Sequence, residues 1–403
     1  MRDNRKRPGA RRGLVVLTAC VLAGITPVTA FAAKRPDDNL SDVEAPRPDV
    51  NKDLSPEFAY SEDKWAALRD NVMEYGELAD LIHEYNPVVR SNRESYNDMR
   101  SKTLNDVYQE AMDAAQDLWD QAGDSDDDSM RATLNMQGNT LAKSADDLFE
   151  DPEMQKISYD QAEAGLVSQA QQLMITYQQS GYTMENLQNT RSLLQAQYEA
   201  AVALTGSSTQ VQVLNAQKSV QDQDAAILST QKSIDSVHRT LCLMTGWSAD
   251  AQPEIRAVPE PDLGRIDSIN LEADQETALK NNYTIRYNEK KLGNLSASTQ
   301  IEATKATIED ARNNVINGLK TQYNTILTTR DSLTTAQLQL QLAQVDLEKA
   351  AASLAVGSST QLQYQSAENA FITAKNTVET TKLQLLLAME NYDWIVKGLV
   401  ASK

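Results

Sequence analysis

Side chains that commonly carry out chemistry are scarce in this sequence. It contains two histidines, His83 and His238, and two cysteines, Cys20 and Cys242. A Ser-His-Asp triad or a His/Cys metal site needs more such groups than these can bring together, and no phosphate-binding glycine-rich loop occurs. His238 and Cys242 are four residues apart and could share a helix face, but such a pair is more typical of packing. We therefore predict no catalytic residues, no metal site and no cofactor, and a protein that is not an enzyme.

A run of aspartates offers the other possible chemistry, calcium binding. Asp124, Asp126, Asp127 and Asp128 fall in residues 123–152, a stretch rich in Asp and Ser with weak periodicity. This stretch lacks the regularly spaced ligands, the central glycine and the terminal glutamate of an EF-hand. The pattern favours an acidic, solvated loop inserted into the chain.

The secondary-structure elements that would position a site occur in two similar copies along the chain. The motif Gly-Ser-Ser-Thr-Gln occurs at residues 206–210 and again at 357–361. After each motif an apolar residue recurs at every seventh position: Val213, Val220, Ile227, Ile234 and Leu241 in the first copy, and Tyr364, Phe371, Val378, Leu385 and Tyr392 in the second. Spacing of seven indicates a helix that meets a partner along a coiled-coil seam. The chain is therefore predicted to be an internal duplication.

The residues before each motif also follow a seven-residue spacing. The apolar positions are Leu166, Leu173, Leu187, Leu194 and Ala201 in the first copy, and Leu319, Ile326, Leu333, Leu340, Leu347 and Leu354 in the second. Glycine can adopt the positive φ that reverses the chain, and Ser or Thr can cap the helix that follows. Each copy is thus predicted to be an antiparallel helical hairpin with Gly-Ser-Ser-Thr at its tip.

Prolines and composition divide the rest of the chain. Asn86 and Arg90 match Asn282 and Arg286 at the start of each copy, and the proline after Asn86 must begin or end a helix there; a long helix should then run to about Gln121. We expect a first repeat over residues 57–248 with the acidic insert 123–152, a linker over 249–269, and a second repeat over 270–403.

The N-terminal segment reads as an export signal. Residues 1–33 combine a basic start, a short apolar core and a small-residue cleavage site, and residues 34–56 read as a flexible leader. A rival interpretation takes residues 17–20 as a lipoprotein box that would leave a lipid on Cys20. Both predict that the protein leaves the cytoplasm.

Net charge limits the choice of partners. The formal charge is -19 and the pI is about 4.6. Such a charge argues against nucleic acid or an anionic membrane surface as a partner. Its simplest explanation is the solubility of a long molecule.

Both motifs, with their flanks, resemble the hairpin signature of TolC-like outer-membrane efflux proteins. The segments are VGSSTQLQYQSA at 356–367 and LTGSSTQVQVLNA at 204–216, and the likeness covers about residues 60–400. It implies a homotrimer whose hairpins form a helical tunnel, and which serves as the exit duct of an efflux pump or type I secretion system. It further implies a periplasmic-adaptor-like (membrane fusion) protein and an inner- or cytoplasmic-membrane transporter as partners. The residues it implies as adaptor contacts are Leu204, Thr205, Gly206, Ser207, Ser208, Ala355, Val356, Gly357, Ser358 and Ser359.

The sequence departs from that family in two ways. Gln212 and Gln363 stand where the family usually has an acidic residue, so an acidic constriction at the tips is in doubt. Residues 123–150 and 292–315 lack the alternating polarity of membrane strands, and the latter read as helix. We therefore expect no transmembrane β-barrel, and a location in the cell envelope, either the outer membrane of the family or the cell-wall space of a single-membrane cell.

The predicted fold class is all-α, with duplicated long antiparallel hairpins that form a coiled-coil α-barrel on trimerisation. The alternative is a secreted coiled-coil rod or envelope tether without a lumen. A second apolar stripe on one helix, formed by Leu338, Leu342 and Val345, favours the tunnel, because a helix in a barrel wall contacts neighbours on two sides.

Overall fold

The computed structural model describes residues 60–146, 150–204, 210–295 and 297–399. The predicted signal peptide, the leader and Cys20 lie outside the described residues. So do Thr205, Gly206, Ser207 and Ser208 of the first predicted tip.

The described part of the first repeat contains seven α-helices. Short elements come first: α1 (Glu62–Arg69), strand β1 (Val72–Met73), a 3-10 turn (Tyr75–Glu77), α2 (Leu78–Tyr85) and α3 (Pro87–Met99). They are followed by the longer helices α4 (Leu104–Asp124), α5 (Asp128–Asp146), α6 (Pro152–Ala203) and α7 (Gln210–Met244).

The second repeat has the same order of helices as the first but lacks a counterpart of the α4 and α5 hairpin, and the linker precedes it. Their elements are β2 (Glu254–Ile255), α8 (Leu263–Ile266), α9 (Leu271–Asn281), α10 (Tyr283–Asn294), α11 (Ser298–Ala355) and α12 (Gln361–Val396). At 58 residues, α11 is about 90 Å long. Strand β2 pairs in parallel with β1, with Val72 opposite Glu254, so the linker is tied to the first repeat.

Two long antiparallel hairpins dominate the fold. Helix α6 packs along α7, α11 packs along α12, and α12 also packs along α6, which gives the spatial order α7, α6, α12, α11. The predicted all-α class and the predicted duplicated antiparallel hairpins are confirmed. No helix among the described residues combines the length and apolar character needed to cross a bilayer.

Burial along the second hairpin follows the predicted seam. Leu319, Ile326 and Leu333 of α11 are buried, as are Val378 and Leu385 of α12. On α6, by contrast, the leucines of the predicted seam are only half-buried. The buried side chains of this helix are mainly at other positions: Ile157, Ala164, Val167, Ala170, Met174 and Ile175. Helix α6 lies between α7 and α12 and also contacts α2, α3 and α10, so a single seven-residue stripe does not describe its packing.

Two expectations for the first repeat are wrong. The helix predicted to run from Asn86 to about Gln121 ends at Met99, and α4 begins again after the N-cap Thr103. The predicted solvated loop over residues 123–152 contains α5, which packs along α4. Its interface is built from small side chains, because Ala115 and Ala145 are buried and Gly138 lies directly against the Trp119 indole.

The aspartate run has a structural role in this hairpin. The carboxylate of Asp127 accepts hydrogen bonds from the backbone amides of Ser129 (2.8 Å) and Met130 (3.2 Å) at the start of α5. Arg131 pairs with Asp128 at 2.9 Å. Asp127 therefore satisfies amides that the first turn of a helix leaves without partners.

Candidate functional site: the hairpin tip and the open edges

At the tip of the second hairpin, α11 ends next to Gly357, and the N-cap of α12 follows at Thr360. Gly357 has a φ of +73°, and the amide of Ser358 donates to the carbonyl of Ser353 at 2.9 Å. These contacts satisfy the last carbonyls of α11 in the manner typical of a glycine C-cap. The positive φ predicted for Gly357 is confirmed, whereas Gly206 lies outside the described residues.

Thr360 and Gln363 start the return helix together. The hydroxyl of Thr360 accepts from the Gln363 amide at 3.3 Å, and the Gln363 side-chain oxygen accepts from the Thr360 amide at 2.8 Å. This reciprocal arrangement is a capping box, which accepts Gln or Glu at this position. Gln363, noted in the sequence as a departure from an acidic residue, thus has a local role that needs no charge.

The described tip residues present an apolar surface to solvent. Val356 is 78% exposed and Leu204 is 58% exposed. Ala355, Gly357 and Ser358 are also exposed, and Ser359 is half-exposed. Val356 and Leu204 are therefore accessible to a partner at the ends of their hairpins.

The outer helices α7 and α11 form two open edges. They make no extensive contact with each other in the described part of the chain, and each carries exposed leucine or valine side chains at helical spacing. These are Val211, Leu214 and Leu228 on α7, and Leu338, Leu342 and Val345 on α11. The second apolar stripe seen in the sequence is therefore present on α11, where none of the described helices of this chain covers it.

A polar cluster of the first repeat that sequence reasoning missed lines the same cleft as Tyr283 and Arg286 of the second repeat. The Nδ1 atom of His83 is 2.7 Å from Glu163 Oε1, and its Nε2 atom is 2.9 Å from Arg93 Nη1. His83 is buried, with 6% of its surface exposed. These residues come from α2, α3 and α6, and no short-range spacing could have linked them.

The pair His238 and Cys242 is packed as expected. Cys242 is fully buried, and its sulfur lies 3.8 Å from His238 Nδ1 and 3.9 Å from the carbonyl of Ala251. Across the described ranges, no group of three or more His, Cys, Asp and Glu side chains is placed to hold a metal ion.

Comparisons with known proteins identify the fold and not a family. No protein-family model and no curated protein matches the sequence. A membrane protein from Pseudomonas aeruginosa aligns with a TM-score of 0.50 at 10% identity, over 80% of this chain and 93% of that one. The chain therefore shares the fold of that protein.

Two channel proteins are also similar in structure. The outer-membrane channel OprN aligns with a TM-score of 0.48 at 13% identity, over 89% of this chain and 98% of its own. CusC, whose folding and transmembrane channel formation have been described from crystal structures, aligns with a TM-score of 0.49 at 12% identity, over 81% of this chain and 92% of the CusC chain.

Proposed function

We propose that this protein is a TolC-like exit-duct component of an efflux or type I secretion system. In this proposal three copies form a helical tunnel that docks an adaptor protein through the hairpin tips. The observation that carries it is the pair of open edges, because a layer of four helices with apolar side chains on both outer helices is incomplete by itself. The geometry of the described side chains gives no support to an enzymatic function.

Assembly through these edges would be head-to-tail. The exposed stripe of α7 differs from that of α11, so the α7 edge of one copy would meet the α11 edge of the next. Three copies of four helices then close into a ring of twelve. Burial of the exposed leucines in these contacts would provide the driving force, at roughly 25 cal/mol per Å² of apolar surface.

Register along the hairpins supports this pairing. Leu228 lies 18 residues after Gln210, the first residue of α7, and Leu338 lies 17 residues before Ala355, the last residue of α11. At about 1.5 Å per residue, both side chains are about 26 Å from the tip end of their helix. In a ring with all tips level, these two leucines would face each other between neighbouring copies.

The tips are the proposed adaptor contacts. Residues Leu204 to Ser208 and Ala355 to Ser359 would give six tips around one mouth in a trimer. The exposed Val356 and Leu204 suit apolar contacts with a helical partner. The partners would be a periplasmic-adaptor-like protein and a transporter in the inner or cytoplasmic membrane, and the location would be the cell envelope, reached through the export signal in residues 1–33.

Sedimentation equilibrium of the chain without residues 1–33 tests the assembly. We expect a homotrimer at micromolar concentration. A strict monomer would contradict the duct, and a dimer would favour the alternative, a secreted coiled-coil rod without a lumen.

Cysteine cross-linking tests the pairing of the edges. In the chain without residues 1–33 and with Cys242 replaced by serine, the double variant Leu228→Cys, Leu338→Cys should form disulfide-linked trimers under oxidation, because the two residues would lie at the same level on facing helices. The control Leu214→Cys, Leu338→Cys displaces one cysteine by 14 residues and should not cross-link. Equal yields from both pairs would argue against the proposed register.

A further inference from the structure

A cleft at the junction of the two repeats has the composition of a binding site. It lies between α2, α3, α6, α10 and α12 and has a volume of about 580 Å³, within the range of small-molecule sites. Its walls include the aromatic rings of Tyr96, Tyr159, Tyr283 and Trp394. Five charged side chains also line it: Arg93, Lys156, Asp160, Glu163 and Arg286.

Two hydrogen bonds orient the ring of His83, which lines this cleft. A guanidinium group can only donate, so the contact of 2.9 Å from Arg93 Nη1 makes His83 Nε2 an acceptor. The ring proton then lies on Nδ1 and is donated to Glu163 Oε1, 2.7 Å away. Glu163 is thus held by the His83 ring, and no Lys or Arg side chain of the described residues forms an ion pair with it.

The other charges of the cleft are not evenly paired. Lys156 forms an ion pair of 2.9 Å with Asp160, and Arg93 lies 3.8 Å from Glu84, just outside the cleft. Arg286 is exposed, lies over the ring of Tyr283 at 5.8 Å, and has no ion-pair partner within the described residues. Among these side chains, Arg286 is thus a cation without an ion pair, and Glu163 is a carboxylate whose contact in the cleft is the His83 ring.

Tyr283 shows that these opposite charges act on the same part of the cleft. Burial raises the pKa of its hydroxyl above the usual value. The charges of Asp160 and Glu163 raise this pKa further, while Arg286 opposes them. The Tyr283 hydroxyl therefore lies within electrostatic reach of both signs of charge.

The second repeat provides an internal control for these residues. Asn86 and Arg90 have identical counterparts in Asn282 and Arg286, but His83 and Arg93 align with Leu279 and Glu289. With the tip motifs aligned, Asp160 and Glu163 fall on Ala311 and Asn314. Helix α10 still packs on α11 in the second repeat as α3 packs on α6 in the first. The equivalent contact of the second repeat has a different ion pair, between Glu289 and Arg312 at 3.1 Å, so the cluster of His83, Arg93 and Glu163 is particular to the first repeat.

We propose that this cleft binds a small zwitterion with a flat apolar body, of the class of aromatic amino acids. Arg286 would bind the carboxylate, Glu163 would accept from the ammonium group, and Tyr96, Tyr159 and Trp394 would enclose the ring. A cleft that offers both signs of charge favours a ligand that carries both. This ligand site is separate from the tips and the edges, and it does not depend on the proposed duct.

Three probes that differ by one charge test the ligand class. Isothermal titration of the full chain would compare L-phenylalanine with L-phenylalaninamide, which lacks the carboxylate, and with N-acetyl-L-phenylalanine, which lacks the ammonium group. We expect phenylalanine to bind at least tenfold more tightly than either derivative. Equal affinity for all three, or no binding of any, would overturn the proposal.

Two variants test the roles of the charged residues. Arg286→Gln should weaken phenylalanine binding at least tenfold and leave phenylalaninamide binding unchanged; because Arg286 is exposed, this variant should fold. Arg90→Gln is the matched control, since Arg90 holds the equivalent position in the first repeat and does not line the cleft. Glu163→Gln keeps an acceptor for His83. It should weaken the binding of phenylalanine but not the binding of N-acetyl-L-phenylalanine. An equal loss in Arg286→Gln and Arg90→Gln would contradict the assignment.

Discussion

The side-chain amide of Asn86 donates a hydrogen bond of 2.9 Å to the carbonyl oxygen of Met244. The same relationship recurs in the second repeat, where Asn282 donates to the carbonyl of Gly398 at 3.0 Å. Each asparagine also caps its own helix, because its side-chain oxygen accepts from backbone amides in the first turn. The start of each repeat is therefore joined to the end of its hairpin by one buried side chain.

Replacing Asn86 should destabilise the protein more than the loss of a helix cap alone. Asn86→Ala removes a cap worth about 1 kcal/mol and leaves the buried carbonyl of Met244 without its partner, at a further cost of about 1–3 kcal/mol. Asn86→Ser restores the cap but cannot reach Met244, so we expect an intermediate loss. Chemical denaturation monitored by circular dichroism measures these differences.

Asn270 is the control for this prediction. It is exposed, and its side-chain oxygen caps α9 by accepting from the amides of Glu272 and Ala273. Both of these hydrogen bonds stay within the first turn of that helix, so Asn270→Ala should cost about 1 kcal/mol. Equal losses in Asn86→Ala and Asn270→Ala would show that the bond to Met244 contributes nothing.

Two glycines with positive φ should respond differently to alanine. Gly246 has a φ of +83° and Gly357 a φ of +73°, so both substitutions introduce backbone strain of about 1–2 kcal/mol. A Cβ at Gly246 would also overlap the side chain of Tyr85, whereas a Cβ at Gly357 would meet open space. We expect a clearly larger drop in Tm for Gly246→Ala, and similar drops would contradict the close contact with Tyr85.

These residues also show which features the sequence could predict. Leu319, Ile326 and Leu333 repeat every seven residues on one seam, and Gly357 with Thr360 follows local turn and capping rules, so both could be read directly. The α4 and α5 contact depends on Gly138 against Trp119 and on buried alanines, and small residues leave little hydrophobic periodicity. His83, Arg93 and Glu163 belong to three helices, and only the packing of those helices brings them together.

Gly138 should be necessary for the packing of α5 on α4. A side chain at this position would overlap the Trp119 indole, so Gly138→Leu should separate the two helices. Because α4 and α5 pack extensively only on each other in the described part of the chain, the long hairpins should keep their thermal stability. We expect faster proteolysis within residues 128–146 and an altered Trp119 environment.

Gly123→Ala is the control, since a Cβ there meets nothing within 4 Å. It should leave the rate of proteolysis unchanged. A loss of thermal stability across the whole protein in Gly138→Leu would mean that the α4 and α5 hairpin supports the long helices.

Glu84 should make stability depend on pH. Burial raises the pKa of its carboxyl above the ordinary value, although Arg93 opposes the shift. The charged form is thus less favourable in the folded than in the unfolded chain, so its contribution to stability is fully present below the unfolded pKa and is lost as pH rises through the folded pKa. Glu84→Gln should gain stability relative to wild type as pH rises above the unfolded glutamate pKa of about 4.

Urea denaturation at several pH values measures this effect. Glu309→Gln removes an exposed carboxylate of α11 and serves as the control for the change in net charge. A constant difference between Glu84→Gln and wild type over the whole pH range would show that Glu84 has no net effect on the pH dependence.

The exposed leucines of α11 provide the sharpest test of assembly. Leu338 and Leu342 are 61% and 62% exposed, whereas Leu333 on the same helix is 4% exposed. Within one chain the first two can contribute little, so Leu338→Glu with Leu342→Glu should keep the helical circular dichroism spectrum. If the edges meet in a trimer, each leucine that is fully buried there contributes about 1.5–3 kcal/mol, and two charges in the contact should dissociate it. We expect folded monomers by sedimentation, while Leu333→Glu should instead unfold part of the hairpin. A trimer that persists in the double variant would show that the α11 stripe is not part of the interface.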